Sequence, residues 1–209
     1  MFHRISIATF VAFASATAFI STDSRAHASI IATDNFDSVG GWSDNRLSTI
    51  SVLGNESILG GVNQFGAGVV TSQTFALTGN QSSVDLGLRF FHFDSWDSGE
   101  SFQIFLDGNL VYNRVFNQAV FGADEVQFNE PGPVNRTDAY VDINLNYATT
   151  ASSVTVLFTS TLDQAASDES WGIDNFVLSD DLTTAAVPEP GTLATFAGLL
   201  GGCWVRRRR

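Results

Sequence analysis

The chain has 209 residues, 22 of them acidic and ten basic, with no lysine, one cysteine and a formal net charge of −12. Phosphate recognition needs clustered Lys or Arg, so nucleic acid is excluded as an expected partner. A lone cysteine makes no internal disulfide, so stability must come from packing or from a bound cation.

The first 28 residues read as a secretory signal peptide. Arg4 supplies positive charge, Ile5 to Ile20 is apolar or small, and Ala26-His27-Ala28 offers a small-x-small cleavage site before Ser29. The apolar run is short for a spanning helix, which needs about 20 residues. Residues 29–182 are then expected to form one exported domain, long enough to bury a core without disulfides. Setting aside Asp23, Glu189, Arg4, Arg25 and the last four arginines leaves 20 acidic residues against Arg46, Arg89, Arg114 and Arg136, a balance of −16. Carboxylates at that density on an exported domain point to divalent cations or to plain solubility.

The domain lacks helical periodicity and alternates with period two, in short runs parted by Gly, Asn, Asp and Ser. Strands are expected at Ile30–Phe36, Leu47–Val52, Val69–Leu77, Val84–Phe93, Ser101–Leu106, Leu110–Phe116, Ala139–Leu145, Val154–Thr161 and Trp171–Leu178. Phe90-Phe91-His92-Phe93 is apolar on both faces, which predicts a central strand. Asp107-Gly108-Asn109 between two apolar runs predicts a hairpin, because these residues tolerate the positive φ of tight turns. Residues 117–138 read as the longest irregular connection, with Pro131-Gly132-Pro133 inside it. Strands without intervening helices predict an all-β fold: an antiparallel β-sandwich or jelly roll.

The densest polar cluster is Asp94-Ser95-Trp96-Asp97-Ser98-Gly99-Glu100. Asp94, Asp97 and Glu100 suit a hard cation, calcium above all, which takes six to eight oxygens at about 2.3–2.6 Å. The alternative is a solvated loop whose acids oppose aggregation. A catalytic strand fits less well. Side chains alternate along a strand, so positions 94, 97 and 100 cannot share a face, whereas retaining glycosidases set two carboxyls about 5–5.5 Å apart. Trp96, flanked by polar residues, is the best candidate among Trp42, Trp96 and Trp171 for stacking on a sugar ring. Asp174 interrupts the apolar strand Ile173-Asp174-Asn175-Phe176 and is expected to be exposed, hydrogen-bonded or metal-bound, since a buried unpaired carboxylate is expensive. Asp37 and Asn35 become its expected neighbours if the first and last strands pair. His92, the sole histidine of residues 29–182, reads as a core residue and not as a triad base.

Asn35-Phe36-Asp37 with Gly41-Trp42, and Trp171-Gly172-Ile173-Asp174-Asn175-Phe176-Val177-Leu178, resemble the opening and closing strands of MAM-type and other concanavalin-like jelly rolls. The resemblance implies a sandwich with neighbouring first and last strands. The cysteines of true MAM domains are missing, so that family's partners do not carry over.

After a linker, residues 183–209 end in a three-part segment. Pro188-Glu189-Pro190 is a rigid hinge, Gly191 to Val205 is apolar, and Arg206-Arg207-Arg208-Arg209 closes the chain. Fifteen helical residues reach about 22 Å against roughly 30 Å of hydrocarbon, so the run predicts a short transmembrane helix suited to temporary anchoring. Arginine beyond it should stay cytoplasmic, with the rest outside. The order resembles the PEP-CTERM sorting signal of Gram-negative bacteria. That resemblance implies an exosortase-type processing enzyme in the inner membrane as partner, and delivery to the cell surface or extracellular matrix. The expected role is a non-enzymatic structural or carbohydrate-associated module facing extracellular polysaccharide; the rival is a polysaccharide-active enzyme.

Overall fold

Period-two alternation becomes a series of strands within residues 28–182, which a computed structural model describes except for 39, 80, 118–119, 132–137 and the side chains of 181 and 182. Ala26, the hinge at 188–190, the run 191–205 and the terminal arginines lie outside the described residues. Among the described residues, no helix is long and apolar enough to cross a membrane.

Eleven strands follow in order: β1 (Ala28–Asp34), β2 (Leu47–Ile50), β3 (Glu56–Phe65), β4 (Val70–Ala76), β5 (Gln81–Asp94), β6 (Ser101–Leu106), β7 (Asn109–Val115), β8 (Val126–Phe128), β9 (Asp138–Ala148), β10 (Ser153–Ser160) and β11 (Glu169–Leu182). Among the described residues the only helical element is a short 3-10 turn at Ser51–Leu53. The larger sheet runs β2-β3-β11-β5-β9-β8, with β1 also on β11; the smaller runs β4-β10-β6-β7. Every pairing is antiparallel, so the fold is an antiparallel β-sandwich.

Aromatic side chains fill the space between the sheets. Phe90 of β5 stacks on Phe102 of β6 with ring centres 3.9 Å apart, and Phe102 also meets Trp171 of β11 at 5.4 Å. Trp42 lies 5.2 Å from both Phe158 of β10 and Phe176 of β11. Pairs of this kind add about 0.5–1.5 kcal/mol beyond area burial. Phe91 and Phe93 point the other way, into a second cluster with Ile50 and Ile58. The apolar-on-both-faces stretch is thus an interior strand, β5, between β11 and β9. The hairpin also forms as expected: Asp107 (φ 50°) and Gly108 (φ 78°) are the two loop residues between β6 and β7.

Two strands were not expected. In β3 the alternation is broken at Gly60 (φ 79°) and Gly61 (φ 95°), where the register against β11 slips between Trp171 and Gly172. A side chain at Gly60 would strike the Phe65 ring and the Trp171 carbonyl, so the bend requires glycine. Strand β8 has three residues within the connection read as irregular, too few to carry a period.

β1 pairs β11 from Ala28↔Asp181 to Asp34↔Phe176, so the first and last strands are neighbours. β3 occupies the same edge of β11 only as far as Ile173. Between these two partners β11 bulges at Asn175, whose φ is 52°. Asp174 sits at this change of partner.

Candidate metal centre

The turn from β5 into β6 closes on itself. The Glu100 amide donates to the Asp97 carbonyl at 3.2 Å, and the Asp97 amide donates to the Glu100 carboxylate. Asp94 (φ 62°) and Gly99 (φ 104°) make the bends. The turn buries the Glu100 side chain against the far end of the chain. The Asp163 amide donates to Glu100 Oε1 at 3.4 Å, and Glu169 opens β11 opposite Asp94. Glu100, Asp163 and Glu169 each bring one carboxylate oxygen within 4.8 Å of the others. Gln164 ties in a fourth acid, donating from Nε2 to Asp97 Oδ2 at 3.3 Å and to Glu169 Oε1 at 3.4 Å.

Glu169 is 0% exposed and its Oε2 has no hydrogen-bond partner. Burial, and then the facing charge of Glu100, push its pKa up to about 8. Its raised proton affinity reflects burial among crowded carboxylates. All the donors are oxygen, which suits a hard ion such as calcium or magnesium and not a thiolate- or imidazole-seeking metal. Two buried acids and the exposed Asp163 can therefore hold a metal ion.

Of the residues expected to form this site, Glu100 is in the triad and Asp97 is beside it. Asp94 ends β5, where its amide donates to Asp138 Oδ1 at 3.0 Å, and it lies outside the triad. Asp163 and Glu169 were missed, although Asp163, Asp168 and Glu169 place three acids in seven residues, as densely as the loop at 94–100.

Trp96 is not a surface platform. It is 2% exposed, its Nε1 donates to the Ser170 carbonyl at 3.1 Å, and its ring packs edge-on to Phe90 and Phe116. Trp42 and Trp171 are enclosed as well. His92 is buried among Phe90, Phe116 and Phe121, in keeping with a core residue.

Asp174 is 2% exposed, and its acidic partner is Glu56 of β3. Asp37 and Asn35 are exposed, and Asp37 is not among the charges acting on Asp174. Burial, then a hydrogen bond to Glu56, raise the Asp174 pKa to about 7, while the Asn175 amide and Arg89 oppose the rise. A carboxyl whose folded pKa exceeds its unfolded value costs stability as pH rises between the two, here from about 4 to 7. Asp174→Asn keeps the shape and removes that charge. Its melting temperature should gain on the wild type between pH 5 and pH 8. A difference that is the same at both pH values would show that Asp174 is not protonated in the fold.

Residues 186–209 match the PEP-CTERM protein-sorting motif family. The chain carries a PEP-CTERM sorting motif. It marks an exported protein sorted through an exosortase. No curated protein matches the chain. Among solved structures, it is similar to the carbohydrate binding module from Cellvibrio mixtus lichenase 5A in complex with cellotriose. That match has 13% identity and a TM-score of 0.40, covering 73% of this chain and 98% of that one. It is also similar to the CBM36-1 domain of a multidomain xylanase from the hindgut metagenome of Trinervitermes trinervoides, at 14% identity and a TM-score of 0.39, covering 77% and 100%. A third, the Agl-KA catalytic domain, has 12% identity and a TM-score of 0.37, covering 72% and 27%. Likeness at this level says nothing about ligand or activity.

Proposed function

We propose that the protein is a non-catalytic β-sandwich module that works at the cell surface or in the extracellular matrix, in association with polysaccharide and stabilised by calcium. Its units are a signal peptide at 1–28, the sandwich at 29–182, and a linker with sorting signal at 183–209. Segment 191–205 anchors it transiently in the inner membrane until an exosortase-type enzyme processes it.

The observation that carries the non-catalytic reading is where the carboxylates lie. Glu169 and Asp174 hold protons most tightly, yet both are enclosed. Asp85 and Asp142, on the open face of the larger sheet, are tied to Asn146 at 2.7 Å and to Arg89 at 2.8 and 3.2 Å. Glycoside hydrolysis needs an acid and a base that both reach the substrate. Calcium is favoured over magnesium because extracellular modules bind it at about 10⁻⁴–10⁻³ M and an irregular acidic turn suits its flexible coordination.

Sorting is tested by replacing Pro188 and Pro190 with Ala and following the protein by cell fractionation and mass. The wild type should lose its C-terminal segment and leave the inner membrane; the variant should keep both segment and membrane. Identical mass and location in the two would overturn the sorting role of the hinge.

A further inference from the structure

The outward side chains of β11, β5 and β9 line up in three rungs set by strand register. The first is Ser179–Asp85–Asn146, the second Val177–Gly87–Asn144, and the third Arg89–Asp142, with the enclosed Asp174 in register beside them but outside the groove lining. The outer rungs are cross-linked: Asn146 donates to Asp85, and Arg89 holds Asp142 with two hydrogen bonds. The middle rung is low because Gly87 has no side chain. A Cβ there would lie 3.2 Å from Asn144 Oδ1. The result is a groove of about 800 Å³ between two polar walls. That is in the upper part of the roughly 300–1,000 Å³ range of small-molecule sites.

We propose that this groove binds a strand of neutral polysaccharide, an assignment that rests on the polysaccharide-associated reading above. The floor offers Gly87, which has no side chain, and the exposed Val177, an apolar surface suited to the C–H face of a sugar ring. Around it stand Asn144 and Asn175, whose amides both donate and accept, as sugar hydroxyls do. Neither uses its side-chain amide on another described residue. Charge selects against acidic glycans. The groove's one guanidinium is already paired with Asp142, Asp85 adds a second carboxylate, and the chain as a whole stands at −12. A uronate or sulfate would meet repulsion with no free cation to hold it.

The test is affinity electrophoresis of the protein, purified after export, through gels containing hydroxyethyl cellulose, xylan, galactomannan, alginate or polygalacturonate. At least one neutral polymer should retard the wild type, and the two acidic ones should not. Asn144→Ala should weaken retardation about tenfold, as loss of one well-placed hydrogen bond does. Gly87→Val, which fills the floor, should abolish it. Melting curves of both variants confirm that they fold, and Asn144→Ala decides the matter should Gly87→Val fail to. Retardation that survives both changes overturns the groove and leaves the polysaccharide-associated reading standing. Retardation only by alginate or polygalacturonate overturns the neutral assignment. A wild type retarded by none of the five overturns the polysaccharide-associated reading, and the groove with it.

Discussion

Trp96→Ala should cost about 3–5 kcal/mol of stability, the range for removing a buried aromatic ring. In a domain of this size each kcal/mol moves the melting temperature by roughly 2–4 °C, so the midpoint should fall by more than about 6 °C. Three contacts make the loss large. The ring is edge-on to Phe90 and Phe116 at 5.8 Å, and its Nε1 bonds the Ser170 carbonyl at 3.1 Å, next to Glu169. Trp96→Phe should recover most of the packing but not the hydrogen bond, and fall between the two. If Trp96→Ala melted with the wild type but lost retardation in polysaccharide gels, the ring would be a ligand platform after all, and its burial in the free protein would have to open on binding.

Polar neighbours made Trp96 look exposed, because Ser95 and Asp97 in a loop suggest solvent. The turn instead folds back over the end of the sandwich, and backbone bends at Asp94 and Gly99 send the ring inward. Such bends are set by tertiary fit and leave no periodic trace. Regular strands were far more legible. Ser101–Leu106 was read residue for residue, and the Asp107-Gly108 hairpin followed from its turn chemistry. β3 escaped because Gly60 and Gly61 interrupt its alternation at a register slip.

The acidic site was legible in half. The turn at 94–100 announced itself by density, and it supplies Glu100 and Asp97. The other half lies over 60 residues further on: Asp163 follows β10, which pairs with β6, and Glu169 opens β11, which pairs with β5. Asp174 followed a similar course. Its burial problem was visible in Ile173-Asp174-Asn175, but its partner Glu56 belongs to the strand that went unread. Pairing of β1 with β11 was anticipated, and it suggested Asp37. The bulge at Asn175 hands the edge of β11 from β3 to β1, and Asp174 falls on the β3 side of it.

The triad Glu100, Asp163 and Glu169 should make stability depend jointly on calcium and pH. In chelator, Glu169 has a folded pKa of about 8, above its unfolded value near 4.5. The folded state then binds more protons than the unfolded state between those values, so stability falls as pH rises from about 4.5 to 8. Calcium binds the ionised carboxylates and competes with the proton, so its benefit should grow over the same window. At a hundredfold excess over Kd, binding to the folded state alone is worth about 2.7 kcal/mol. For a chain of this size that raises the midpoint by roughly 5–10 °C. Sodium at matched ionic strength should do far less, since screening provides no coordination site. Glu169→Gln separates the two terms. It removes a buried charge facing Glu100, so the variant should melt above the wild type in chelator at pH 8. It also removes a ligand, so its calcium response should largely vanish. Asp94→Asn, outside the triad, should leave that response intact. If calcium and sodium shift the wild-type midpoint equally, or if Glu169→Gln keeps the full calcium response, the triad is a strained carboxylate cluster and holds no ion.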